Sequence, residues 1–179
     1  MHMRITATWL LAACTALAGA SAWAHGPTRQ KATETITIQA APDAVWDKIK
    51  DFSRLHEWHP AVESSTTTDG NTVGSVRTLK LKGGGEIVEK LEGYDAAARS
   101  YRYRMSDPGP VPVTNYTSTL TVKPGEAAGT ALVEWRGAFY RGFPNNDPPP
   151  DKNDEAAVAA VSGIYKAGLG HLKALVEKR

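Results

Sequence analysis

Residues Ile36 to Pro60 read ITIQAAPDAVWDKIKDFSRLHEWHP. Just upstream and into it, Thr33–Ile38 alternates Thr and Glu with Ile, the period-2 pattern of a half-buried strand. Pro42 then stands where a first helical residue tolerates a missing N–H, and Val45, Trp46, Ile49 and Phe52 recur at helical spacing through Asp51. A second short helical turn leads into Trp58-His59-Pro60. A strand, two short helices and a return to extended chain is therefore the predicted opening.

Downstream the period becomes that of strands separated by turn chemistry. The predicted strands are Val62–Thr68, Ser75–Lys82, Glu86–Tyr94, Ser100–Met105, Thr114–Lys123 and Thr130–Tyr140, seven with the first. Asp69-Gly70-Asn71, Gly83-Gly84-Gly85, the Pro-rich Asp107–Pro112 and Pro124-Gly125 punctuate them. Phe143–Asn153 (FPNNDPPPDKN) breaks regular structure, and from Asp154 a long helix is predicted to the C-terminus. Its apolar stripe is Val158, Val161, Tyr165, Leu169, Leu172 and Val176, which is the helical repeat of a core-facing surface. Gly163, Gly168 and Gly170 are poor helix formers there, with close approach to the sheet as their expected use.

The order strand, two helices, six strands, long helix resembles the START/Bet v 1-like (SRPBCC) helix-grip proteins. The fold implied is α+β, a curved antiparallel sheet wrapped around the C-terminal helix and enclosing a cavity. Further blocks narrow the likeness: His25-Gly26-Pro27, Trp58-His59-Pro60, Arg77-Thr78-Leu79, Thr114–Val122, Glu134-Trp135-Arg136-Gly137, Phe139-Tyr140-Arg141-Gly142 and Asn153–Ala157. In that order they resemble the MxaD-type exported proteins of methanol-oxidising bacteria. That resemblance implies a non-catalytic periplasmic accessory role, assisting methanol dehydrogenase and its cytochrome c acceptor. It brings no catalytic residues, and no motif calls for a cofactor.

The first 24 residues are expected to be a leader. Arg4 supplies a basic start, Ile5–Gly19 is too short an apolar run to span a bilayer, and Ala22-Trp23-Ala24 fits a signal peptidase site. Cleavage after Ala24 gives a periplasmic chain with an N-terminal arm at 25–31 and one domain at 32–179. Leu11-Ala12-Ala13-Cys14 offers the alternative of a lipidated Cys14. Cys14 is the one cysteine, so cleavage leaves no disulfide and no thiol nucleophile. The chain holds 21 Lys and Arg against 19 Asp and Glu, a balance that argues against nucleic-acid binding. No later apolar run is long enough for a membrane span.

If strand alternation holds, one sheet face carries Arg77, Leu79, Leu81, Ile87, Glu89, Leu91, Tyr101, Tyr103, Met105, Tyr116, Ser118, Glu134, Arg136, Ala138 and Tyr140. Resemblance to plant hormone receptors of the same superfamily, through Glu89-Lys90-Leu91 and Asn115-Tyr116, implies that this face is the inner one. The same resemblance implies a ligand-facing His59. The candidate cavity residues are thus Trp58, His59, Arg77, Leu79, Leu81, Glu89, Tyr101, Tyr103, Tyr116, Glu134 and Arg136. They fit a site for a small hydrophobic ligand, or else Glu89, Glu134, Arg77 and Arg136 simply pair with one another in the interior. His59 with Glu89 or Glu134 would be the acid–base pair of a cyclase or dehydratase. Trp135, Phe139, Arg141 and Phe143 are expected outside, as anchors for a protein partner or as rings packed under the neighbouring loop. His25 could chelate a metal through its amino and imidazole nitrogens, but His56, His59 and His171 supply no convincing spacing for a site.

Overall fold

A computed structural model describes residues 26–178. The expected leader, its cleavage site after Ala24, Cys14 and His25 lie outside the described residues. β1 (Gln30–Ile38) leads to α1 (Pro42–Ile49), a tight helical turn (Phe52–Arg54) and α2 (Leu55–Trp58). Six strands follow: β2 (Val62–Thr67), β3 (Val76–Leu81), β4 (Glu86–Asp95), β5 (Ser100–Asp107), β6 (Val113–Pro124) and β7 (Ala131–Arg141). α3 (Asp154–Glu177) closes the chain after a second tight turn at Pro150–Lys152, inside the segment expected to be irregular.

Local chemistry accounts for the boundaries. Pro42 occupies the first turn of α1 and Asp43 places a carboxylate beside its free N–H groups. Asp51 caps the turn at Phe52 by accepting from the Ser53 N–H at 2.8 Å. Asn153 caps α3 by accepting from the Ala156 N–H at 2.7 Å, with Asp154 and Glu155 in the first turn. β1 begins at Gln30, opposite Phe139, so the last two residues of the expected arm already belong to the sheet.

The strands form a single antiparallel sheet in the order β1-β7-β6-β5-β4-β3-β2. Register breaks at Val62/Ser64, Val88/Glu89, Leu91/Gly93 and Thr114/Thr117 bend the strands. At the last of these Asn115 takes a left-handed backbone (φ 49°), which returns Tyr116 to the inner face after Val113. α3 crosses that face along β1 and β7, while α1 and α2 fill its other end. Among the described residues, no helix is long and apolar enough to cross a membrane.

The facing expected for β3 to β6 is observed, and that expected for β7 is reversed. Trp135 and Phe139 are 2% and 0% exposed and lie in the core, whereas Glu134 and Arg136 point to the outer side and pair there with Lys123 and each other. Register fixes this, because residues directly opposite in a ladder share a face. Trp135 is opposite the buried Leu120, and Gly137 is opposite Ser118. Arg141 is also buried rather than offered to a partner. Its guanidinium donates to the carbonyls of Phe143 and Asn145 and reaches Asp154, tying the Pro-rich loop to the start of α3. Phe143 is half-buried on that loop.

Only one of the three α3 glycines serves close approach. A Cβ on Gly168 would sit 2.6 Å from His59 Cδ2 and 2.8 Å from Trp135 Cζ3, whereas one on Gly163 or Gly170 would meet nothing within 4 Å. Gly168→Ala should therefore destabilise the fold by about 1–3 kcal/mol through overpacking. Gly163→Ala and Gly170→Ala should each stabilise it by about 0.5–1 kcal/mol, through helix propensity alone. Urea denaturation of the three variants checks the contrast, and equal effects at all three positions would refute it.

Candidate functional site

The inner face holds a cavity of about 100 Å³ between α2, the middle strands and α3. Its wall is mostly apolar, with Leu79, Leu81, Ile87, Met105, Val111 and Ile164 among the lining side chains. Polar groups come from His59, Glu89, Tyr103 and Tyr116, and the Trp135 ring adds to the wall. At about 30 Å³ per water such a space holds about three waters, or a ligand of a few heavy atoms.

Glu89 is the floor charge. Arg77, opposite it in the β3–β4 ladder, donates from Nε at 2.8 Å and from Nη2 at 2.6 Å, both to Oε2. The third guanidinium arm donates from Nη1 to the Phe52 carbonyl at 2.8 Å, and the group lies 3.8 Å from the centre of the Phe52 ring. Arg77 and Glu89 are 1% and 2% exposed, so each needs the other to remain in the interior. Burial pushes the Glu89 carboxyl above its ordinary range, and Arg77 offsets this only in part. Both bonds end on Oε2, and Glu89 is among the residues lining the cavity, whose exposed wall is almost wholly apolar.

His59 is a clip. Its Nδ1 accepts from the Ala61 N–H at 3.3 Å, and a backbone N–H can only donate, so the ring proton is on Nε2. That Nε2–H donates to the Ile164 carbonyl of α3 at 3.0 Å. Burial lowers its pKa, with the Arg77 and His171 charges adding to the effect and the Ile164 carbonyl opposing it. His171 makes the return contact, from Nδ1 to the Trp58 carbonyl at 3.1 Å. Both ring nitrogens of His59 are thus engaged by backbone, and Glu134, one of its expected carboxylate partners, lies on the other face of the sheet. Among the described residues, no hydrogen bond joins His59 to a carboxylate.

Aromatic rings fill the rest of the space under α3. Tyr165 stacks on Trp135 with centroids 4.5 Å apart and planes 15° from parallel. The Trp135 N–H donates to the Tyr103 hydroxyl and to Ser118 Oγ, each at 3.0 Å, and the Tyr165 hydroxyl is 2.6 Å from that of Tyr116. Burial pushes the phenols of Tyr101, Tyr103, Tyr116 and Tyr165 up, so they act as neutral hydrogen-bonding groups.

Of the expected cavity residues, His59, Leu79, Leu81, Glu89, Tyr103 and Tyr116 line the space. Arg77 stands behind Glu89, Tyr101 packs deeper against Phe52 and Trp46, and Trp58 lies behind the wall with its ring on Trp135 and its indole N–H unpartnered. Glu134 and Arg136 are outside. Sequence reading missed Trp135, Leu55, Ala61, Val62, Val111 and Ile164 as wall residues. The apolar comb Val133, Trp135, Phe139 was the available signal for the first. Ile164 sits one residue before Tyr165 of the stripe, and Val111 in a proline-rich turn has no periodic signal.

Two outcomes follow from these contacts. Truncating one partner, Arg77→Met or Glu89→Leu, should cost about 3–5 kcal/mol by stranding a buried charge, while the double variant should cost less than either. Chemical denaturation of the cycle measures the coupling, and additive losses would refute it. For His59, the unfolded chain binds its proton near pH 6.5 and the folded chain only at lower pH. Its contribution to stability therefore falls as pH drops below about 6.5, by at most about 1.4 kcal/mol per pH unit. Glu89, with its raised pKa, contributes in the opposite sense, so the quantity to measure is wild type minus His59→Gln between pH 7.5 and 5. A difference independent of pH would refute the assignment.

The family model described as polyketide cyclase / dehydrase and lipid transport matches residues 29–177. Among solved structures, the protein XoxI from Bacillus cereus is 36% identical with a TM-score of 0.70, over 82% of this chain and 94% of that one. An uncharacterized protein from Bacillus thuringiensis is 35% identical with a TM-score of 0.72, over 83% of this chain and 100% of that one. Norcoclaurine synthase from Thalictrum flavum, solved with dopamine and hydroxybenzaldehyde, is 16% identical with a TM-score of 0.65, over 97% and 99%, a likeness of fold alone. A comparison with curated proteins found no match. With the helix-grip architecture, these findings make the chain a member of the polyketide cyclase/dehydrase and lipid transport family of the SRPBCC superfamily.

Proposed function

We propose that the protein is a non-catalytic binding protein that holds a small, mostly apolar ligand beneath α3. The observation that carries this reading is the enclosed, almost wholly apolar cavity, with the buried Arg77–Glu89 pair at its edge. Such a wall with few convergent polar groups is the usual make-up of a ligand site. The almost wholly apolar wall favours a small ligand of apolar character. The engagement of both His59 nitrogens by backbone argues against a cyclase or dehydratase acting through that residue.

The setting we propose is the periplasm, as an accessory protein of methanol oxidation working with methanol dehydrogenase and its cytochrome c. The order of the MxaD-type blocks supports this second element, as does the leader-like start of the chain. Trp135 and Phe139 lie in the core and Arg141 holds a loop, so contact with such partners would use other surfaces.

Extraction of the denatured protein, followed by mass spectrometry, tests the cavity reading. Wild type should release one small apolar molecule per chain. Met105→Phe, which fills the space, should release none while keeping its circular dichroism spectrum. An empty extract from wild type, with no saturable uptake of small phenols or alcohols, would remove the reading. Recovery of methanol dehydrogenase or its cytochrome on the immobilised protein, lost at high salt, tests the setting separately.

A further inference from the structure

The outer face of the sheet carries a groove of about 300 Å³ with no role in the cavity. Register resolves it into two rows across β1, β7, β6 and β5. One row reads Thr33, Arg136, Thr119, Arg102, and its neighbour reads Lys31, Ala138, Thr117, Arg104. Threonines and one alanine make the floor, Lys31, Arg102 and Arg136 line the groove, and Arg104 at its border is held by Glu92 at 2.7 Å. With strands about 4.8 Å apart, Lys31 and Arg104 are about 14 Å from each other across the floor. Lys31 has no ion pair among the described residues, and Arg102 and Arg136 reach their nearest carboxylates only at 3.6 and 4.0 Å. Their side chains are 59% and 62% exposed.

The acids of this face are placed at the margin. Glu134 lies in the next row opposite Thr121, and Glu92 lies on β4 beyond Arg102 and Arg104. We propose that this groove docks an acidic projection of a partner protein, with carboxylates over the threonine floor. Glu92 and Glu134 would repel a continuous polyanion such as duplex nucleic acid laid across the face. The floor offers no large apolar side chain for insertion into a bilayer, which disfavours an anionic membrane. Among the described residues that line the groove, the basic side chains Arg102 and Arg136 are more than half exposed and the buried Ser118 hydroxyl is engaged by the Arg136 carbonyl and Tyr165, an arrangement poor at holding a small anion. A protein surface with acids at its centre and basic groups at its edge complements the mosaic. This proposal is independent of what the cavity holds.

The test is a titration of the ¹⁵N-labelled protein with a hexaglutamate peptide, read by amide shifts. Shifts should concentrate at Lys31–Thr33, Arg102–Arg104, Thr117–Thr119 and Arg136–Ala138, and vanish in 0.5 M salt. The combined Lys31→Glu, Arg102→Glu and Arg136→Glu variant should weaken binding by at least about tenfold. The milder Arg102→Gln with Arg136→Gln should weaken it in the same direction, guarding against misfolding of the first. Shifts that fall elsewhere, or an affinity unchanged in both variants, would overturn the proposal. So would saturation of the same amides by inorganic phosphate as tightly as by the peptide, which reassigns the groove to a small anion. Sedimentation with phosphatidylglycerol vesicles, together with no groove shifts from the peptide, would likewise overturn it in favour of a membrane.

Discussion

The seat of α3 on β7 is the constraint from which the interior is organised. Tyr165 lies flat on Trp135, and Gly168 one turn later removes the side chain that would hold the helix away from His59 and the same indole. Gly137 does the reciprocal job on the strand, since a Cβ there would fall 2.2 Å from the Tyr165 hydroxyl. Two small residues on facing elements thus allow two large rings to stack. The helix height set by that stack brings the Ile164 carbonyl within reach of His59 and leaves the limited space beside it.

A helix this close also lets the polar side chains of the interior satisfy one another. Tyr103, Tyr116, Ser118, Trp135 and Tyr165 satisfy one another in a connected set of hydrogen bonds, so their hydroxyl and indole groups carry little desolvation penalty. Arg77 and Glu89 form a second, separate polar unit at the sheet's far side, braced by the Phe52 carbonyl and ring. The cavity lies between these two units. Its size is therefore governed by aromatic packing on one side and by the ion pair on the other.

Most of the architecture was legible because it rests on period and punctuation. The strands begin and end within a few residues of their expected positions, since Gly83–Gly85, Pro124-Gly125 and the Asp107–Pro112 prolines stop a ladder by local chemistry. The pair Arg77–Glu89 was legible as one of the interior arrangements, because both residues share a face with Leu79 and Leu91. The facing of β7 was not. Choosing Glu134 and Arg136 as inner residues favoured a charged cavity over the rule that a sheet buries its more apolar side, and Val133, Trp135 and Phe139 obeyed the rule. The dual engagement of His59 was also beyond sequence, because Ile164 is about a hundred residues away and offers only a carbonyl.

The sheet order has a consequence for how the chain reaches this state. Among the described residues β1 is the first strand and pairs with β7 alone, with Gln30 opposite Phe139. α3 then ties back to β1, where the Lys173 ammonium donates to the Thr37 carbonyl and the Glu177 carboxylate accepts from the Gln39 N–H. One edge of the sheet and the helix seat therefore remain open until nearly the whole sequence is present. Closing a loop of about a hundred residues comes before the contacts that reward it, which makes the step late and slow relative to the local hairpins. During synthesis the growing chain can gather its central meander, but its first strand waits for its last.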